Sequence, residues 1–269
     1  MTGFLDEMCK SSAQRWRESA RTLPIESLVA QSRALPHPPP LRPDPTGFDI
    51  IAEVKKCSPA EGTLSVDDEA ALIDRAVAYA SAGAAAVSVL TEPTRFDGSL
   101  SDLRNIAEAL RPLEIPAMRK DFIVDVYQVW EAAAAGAGGV LAIVRVLDDP
   151  MIMQMLEAAS QCRMFVLLEA FDEQDLRRAW PFANSHSNVI VGLNSRDLTT
   201  LEVDSGRLQQ LAGEFPTDCL RVAESGIATV DDAVAVRRAG YQFALIGTAL
   251  MREASPRGLI AHMLASARE

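Results

Sequence analysis

Ile50-Ile51-Ala52-Glu53-Val54-Lys55-Lys56-Cys57-Ser58-Pro59 decides how this chain reads. Ile50 to Val54 has the apolar character of a parallel strand covered on both faces. The strand then runs into charge: a glutamate within it and two lysines at its C-terminal end. An unpaired buried charge is costly, so these groups either face water or form a site. On this stretch alone the two readings stand level. Lysine usage tilts them toward a site. Of 26 Lys and Arg residues only four are lysine, namely Lys10, Lys55, Lys56 and Lys120, and three of these stand at the ends of two expected strands. Arginine stays protonated in proteins, whereas lysine releases a proton when its surroundings lower its pKa.

Outward from this stretch the pattern repeats. Further apolar, β-branched runs lie at Ala85–Leu90, Ile115–Arg119, Gly139–Val146, Met164–Glu169, Val189–Leu193, Leu220–Ala223 and Phe243–Ile246. Segments of helical period separate them: Asp67–Ala82, Ser99–Leu110, Val126–Ala135, Pro150–Gln161, Glu173–Phe182, Ser205–Gly213, Val230–Ala239 and Pro256–Ser266. Gly83, Gly136 and Gly240 supply helix stops, and Asp67, Asp125, Asp172 and Thr229 supply helix starts. Eight strand–helix units over this length predict an α/β fold of the (β/α)8 TIM barrel type. A doubly wound open sheet is the runner-up, but no G-x-G-x-x-G follows the first strand. Ahead of the barrel, residues 4 to about 33 read as helical. Leu35–Pro45 holds six of the fifteen prolines and reads as an extended connector. The expected division is therefore 1–48 for an N-terminal helical extension with its connector, and 49–269 for the barrel.

Composition narrows the function. Hydrophobic content of 48% and charged content of 23% are those of a globular domain. A net charge of -11 without a basic stripe argues against nucleic-acid binding. No apolar run approaches the ~18 residues of a membrane span. Met1–Lys10 lacks a signal-peptide pattern, so the cytoplasm is expected. Cys9, Cys57, Cys162 and Cys219 form no C-x-x-C pair, so a disulfide frame or zinc site is not expected. His37, His186 and His262 are scattered, which argues against a histidine triad or metal centre.

Barrel chemistry belongs at the C-terminal ends of the strands. Those ends offer Glu53, Lys55 and Ser58; Ser88 and Glu92; Arg119, Lys120 and Asp121; Arg145; Glu169; Asn194 and Arg196; Glu224, Ser225 and Gly226; and Gly247 and Thr248. Strand alternation puts Glu53 and Lys55 on one face and turns Lys56 toward the helices. Small residues after both late strands, Ser225-Gly226 and Gly247-Thr248, suit a phosphate held by loop amides and a short helix starting at Thr248. Lys55 and Arg196 supply local cations for an anion. Lys120 and Glu169 form the best acid–base pair, since burial and opposite charge tune proton affinity at a barrel mouth.

Several blocks together resemble the indole-3-glycerol phosphate synthase family: Ile51–Lys56 with Ser58-Pro59, Ser88–Glu92, Arg119-Lys120-Asp121-Phe122-Ile123-Val124-Asp125, Asn194–Leu198 and Ala223–Ile227. The resemblance covers nearly all of 49–269 and is most specific at the Arg119–Asp125 block. The proline-rich connector and Glu61 depart from the family pattern. The resemblance implies a carboxy-lyase of tryptophan biosynthesis acting on 1-(2-carboxyphenylamino)-1-deoxyribulose 5-phosphate. It implies Lys120 as the acid for ring closure and Glu169 as the acid/base of dehydration. Glu53 would assist there and orient the lysines, Lys55 would hold the substrate carboxylate or phosphate, and Asn194 would contact the amine region. Arg196 and Glu224 would support this network, and Ser58, Ser225, Gly226, Gly247 and Thr248 would bind phosphate. Pro59, Phe96, Phe122, Leu141, Ile143 and Leu198 would line an aromatic-ring pocket. No metal or organic cofactor is implied. The partner is a small phosphorylated molecule rather than nucleic acid or membrane, and the chain is expected to be a monomer or weak homodimer with no second pathway enzyme fused to it. Two other readings stand beside this one: a related phosphosugar isomerase or aldolase, and a non-catalytic ligand-binding barrel.

Overall fold

The computed structural model describes residues 3–59, 62–64, 69–197, 200–204, 206–216 and 218–269. The apolar runs form eight strands: β1 Asp49–Val54, β2 Ala86–Leu90, β3 Ala117–Lys120, β4 Gly139–Ile143, β5 Phe165–Ala170, β6 Val189–Asn194, β7 Arg221–Glu224 and β8 Phe243–Ile246. Each pairs in parallel with the next, and β8 closes onto β1 with Asp49 opposite Phe243 and Ala52 opposite Ile246. The helices are α1 Phe4–Thr22, α2 Ile25–Ala34, α3 Glu69–Ser81, α4 Pro93–Phe96, α5 Leu100–Leu110, α6 Val126–Ala134, α7 Asp149–Gln161, α8 Glu173–Ser185, α9 Arg207–Gln210, α10 Val230–Arg238, α11 Thr248–Arg252 and α12 Pro256–Arg268. The result is the closed (β/α)8 barrel that the eight repeats predict.

Strand alternation sorts the core into two layers. Inward residues Ile51, Met118, Leu141, Leu167, Ile190, Val222 and Phe243 join one cluster inside the barrel. Outward residues such as Ile50, Val87, Val140, Val166 and Val191 pack against the helices in a second, larger one. Asp125 accepts from Tyr127 N and Asp172 from Asp175 N, while Thr229 and Asp232 form a capping box. The start expected at Asp67 lies outside the described residues, as does Ser205, the expected start of the segment before β7.

Some boundaries differ for physical reasons. The helix expected over residues 4 to 33 is two helices. Pro24 lacks an N–H and lies extended between them, φ -60° and ψ 150°. The run Gly139–Val146 is not one strand. It ends at Ile143, and Val144–Val146 turns into a 3-10 segment. Arg178 Nη1 takes the Val144 carbonyl at 2.7 Å, a partner that a continued ladder would need. The strand expected from Ile115 starts at Ala117, because Glu114 turns left-handed at φ 56° and Pro116 has no N–H to give. The helix expected over Ser205–Gly213 contracts to α9 and a 3-10 turn at Ala212–Glu214.

The connector from Leu35 carries neither helix nor strand up to Asp44. It passes under the N-terminal end of the barrel, where Leu41 packs on the interior cluster. The opposite end is left to α1. Arg15 grips Asp121 with two hydrogen bonds of 2.8 and 3.1 Å, and Ser12 donates to the Phe122 carbonyl. The extension is thereby tied to the segment that follows Lys120.

Candidate active site

The mouth of the barrel opens into a cavity of about 510 Å³, within the usual range for a small-molecule site. Its floor is a single layer of side chains from the odd-numbered strands: Glu53 on β1, Lys120 on β3, Glu169 on β5 and Glu224 on β7. Barrel interiors are normally filled this way by apolar groups from alternate strands. Here four ionisable groups take those places, three of them carboxylates.

Lys120 Nζ stands 3.5 Å from Glu169 Oε1 and 3.7 Å from Glu224 Oε2. Burial by itself lowers a lysine pKa, but Glu169, Glu224 and Glu53 more than offset it and hold Lys120 above its ordinary value. The ammonium is therefore charged at neutral pH. Glu224 is 1% exposed, and neither of its oxygens has a hydrogen-bond partner among the described residues. Burial, with the Glu169 carboxylate beside it, pushes its pKa well above the ordinary carboxylate range, and Lys120 opposes this only in part. Asn194 Nδ2 donates to Glu169 Oε1 at 2.8 Å and fixes that carboxylate.

On β1, Lys55 Nζ pairs with Glu53 Oε1 at 2.8 Å within the cavity. Lys56 turns away and reaches both Asp102 oxygens on α5 at 2.9 Å. Strand alternation thus sends two adjacent lysines to opposite sides of the barrel wall.

The expected phosphate groups, Ser58, Arg196, Ser225, Gly226, Gly247 and Thr248, line the cavity together. Ser225 and Gly226 both have positive φ, 67° and 76°. The left-handed turn and the small side chains let the backbone approach a ligand closely. Gly247 precedes the short helix α11, as expected from the sequence. Arg196 N donates to Asn194 Oδ1 at 2.9 Å, and its guanidinium to the Leu201 carbonyl at 2.7 Å.

The opposite wall is apolar. Pro59, Phe96, Phe122, Leu141 and Ile143 lie there, while Leu198 and Glu61 are outside the described residues. Phe122 meets Phe96 at 6.3 Å between ring centroids and Phe4 edge-on at 6.0 Å. Phe4 comes from α1 and was not among the expected pocket residues. Its apolar character was legible, but nothing local signals that α1 crosses the barrel mouth. Arg252 on α11 also borders the cavity and was likewise missed.

Several strand-end residues have other employment. Glu92 caps α4 by accepting from Thr94 and Arg95 N–H groups. Arg119, on the outward face of β3, is 2% exposed and pairs with Asp121 and Glu131. Arg145 lies in the 3-10 turn, bonded to Asp172 and Asp175. Ser88 sits inside the barrel opposite Glu53. Among the described residues, no group of three or more His, Cys, Asp or Glu residues is placed to hold a metal ion.

The model of the indole-3-glycerol phosphate synthase family matches residues 5–263. An indole-3-glycerol phosphate synthase from Mycolicibacterium smegmatis is 40% identical over 252 residues, covering 91% of this chain and 89% of that protein. One from Nocardioides sp. is 41% identical over 229 residues, covering 84% and 85%. Among solved structures, 3-hexulose-6-phosphate synthase from Salmonella typhimurium superposes with a TM-score of 0.62 at 14% identity, over 82% of this chain and 98% of that one. At that identity the likeness concerns the fold alone.

Proposed function

The chain belongs to the indole-3-glycerol phosphate synthase family, and from that premise we propose the reaction it catalyses. It converts 1-(2-carboxyphenylamino)-1-deoxyribulose 5-phosphate to indole-3-glycerol phosphate, losing carbon dioxide and water, as a carboxy-lyase of tryptophan biosynthesis. The observation that carries this reading is the Lys120 ammonium between Glu169 and Glu224, at the floor of a cavity with an aromatic wall on one side and a glycine–serine rim on the other.

The phosphate sits against Ser225, Gly226, Gly247 and Thr248, with Ser58 and Arg196 nearby. The aromatic ring lies among Phe96, Phe122 and Phe4, and Lys55 holds the substrate carboxylate or phosphate. The ring carbon that carries the carboxylate bonds to the ketone carbon, while Lys120 gives a proton to the ketone oxygen. Loss of carbon dioxide returns the bonding electrons and restores aromaticity. The new hydroxyl then leaves as water and the neighbouring carbon gives up a proton, with Glu169 as acid/base and Glu53 assisting. Asn194 holds Glu169 in line and contacts the amine region. A positioned general acid or base contributes about 10²- to 10⁴-fold in such steps. The cytoplasm is the compartment we assign, because the cysteines are unpaired in the fold and free thiols suit reducing conditions.

Purified protein incubated with this substrate is expected to release product with the fluorescence of an indole ring. Glu169→Gln is expected to slow release by at least about 10²-fold. A wild-type protein that binds the substrate and forms no indole contradicts the proposal.

A further inference from the structure

The floor of the cavity crowds three carboxylates into one barrel layer, and their side chains need room that apolar barrels do not leave. On β6, Gly192 lies directly opposite Glu169 of β5 and opposite Val222 of β7, two residues before Glu224. Gly192 therefore stands between the strands that carry two of the three carboxylates. A Cβ built on Gly192 lies 3.2 Å from Glu224 Cδ and 3.0 Å from Leu167 Cδ1, and overlaps Glu224 Oε1 outright. The backbone does not explain this glycine, since its φ is not in the left-handed region. Space does. Glycine inside a strand often marks such a close approach.

We propose that Gly192 is a positioning residue for the reaction: its missing side chain is the seat of the Glu224 carboxyl, and that seat sets where Glu224 meets Lys120 and Glu169. The inference rests on the functional reading above. A methyl group at 192 meets neither the phosphate rim nor the aromatic wall among its nearest atoms and displaces the Glu224 carboxyl from its seat. The consequence belongs to the chemical step, because Lys120 takes its place from contacts of 3.5 and 3.7 Å to Glu169 and Glu224. Interactions of this kind are read in kcat, while uniform substrate binding is read in KM.

The test is a double-mutant cycle between Gly192→Ala and Glu224→Asp, whose side chain is one methylene shorter and clears the overlap. In the wild-type background Gly192→Ala is expected to lower kcat about a hundredfold, with KM within about threefold, as for a misplacement of about 1 Å. In the Glu224→Asp background the same alanine is expected to cost less than about threefold, the two sites being coupled. Thermal unfolding of the same variants reads the overlap without turnover, and the alanine is expected to lower Tm only where the full-length glutamate is present. Equal losses in both backgrounds, or a Gly192→Ala protein with unchanged kcat, overturn the proposal. If Gly192→Ala fails to fold, a double variant that folds supports the seat, and one that also fails overturns it by assigning the harm to another neighbour such as Leu167. Absence of turnover in the wild type overturns the functional reading and leaves the seat to be judged by the unfolding cycle.

Discussion

Lys55 and Lys56 are adjacent in sequence, yet one faces the cavity and the other the helix layer. The period of a strand separates them, and no difference in chemistry does. Lys55→Met is expected to lower kcat/KM by at least about a hundredfold, since it removes a charge-assisted contact in the site. Lys56→Met is expected to hold kcat/KM within about threefold while lowering stability, because it strands the buried Asp102 carboxylate. Steady-state kinetics and thermal unfolding on the two variants check this, and equal kinetic losses would contradict it. The same parity would have cleared Arg119 from the list of site candidates. It sits one residue before Lys120, faces outward, and serves the Asp121 and Glu131 carboxylates instead. Glu92 and Arg145 show the limit of reading strand ends. Whether such a charge caps a helix or meets a substrate depends on the turn after it, which an apolar run such as Ile143–Val146 conceals.

At the scale of elements, α1 closes the apolar side of the site. Phe4 adds a ring to the wall, and Arg15 holds Asp121, the residue after Lys120. Burial tends to raise the Asp121 pKa, but Arg119 and Arg15 with Thr91 overcome it and hold the carboxyl at about 2 against an ordinary 3.8. A depressed carboxylate stabilises the fold above its unfolded value, and the contribution drains away as pH falls through the folded one. Arg15→Ala is expected to cost about 3 kcal/mol near neutral pH, the low end for removing one partner of a buried pair, because Arg119 still holds Asp121. The difference from wild type is expected to shrink as pH falls from 3.8 toward 2, where Asp121 titrates. Denaturant unfolding across that range checks it, and a difference independent of pH would assign Arg15's contribution to packing alone. None of this contact was legible in the sequence, because Arg15 and Asp121 are joined by tertiary structure over 106 positions. The break at Pro24, by contrast, is legible from the proline itself, which has no N–H to continue a helix.

At the scale of the whole molecule, the barrel follows from eight apolar runs that alternate with helical segments, and the site follows from where those runs end in charge. That is why the described residues expected to serve catalysis, phosphate and ring binding line one cavity, while Ser88, Glu92, Arg119 and Arg145 do not. What the sequence did not disclose is how the groups crowd together: the ionisable layer at the floor, the empty place at Gly192, and the approach of α1 over the mouth. Each depends on strands or helices distant in the chain. Lys120, kept charged between Glu169 and Glu224, is the acid we propose for ring closure. The most direct test is a single-turnover measurement of ring closure with Lys120→Ala and saturating enzyme. We predict a rate lower by about 10²- to 10⁴-fold, the contribution of a positioned general acid, with substrate still bound. A variant that closes the ring at the wild-type rate would contradict the account and move the acid to another residue.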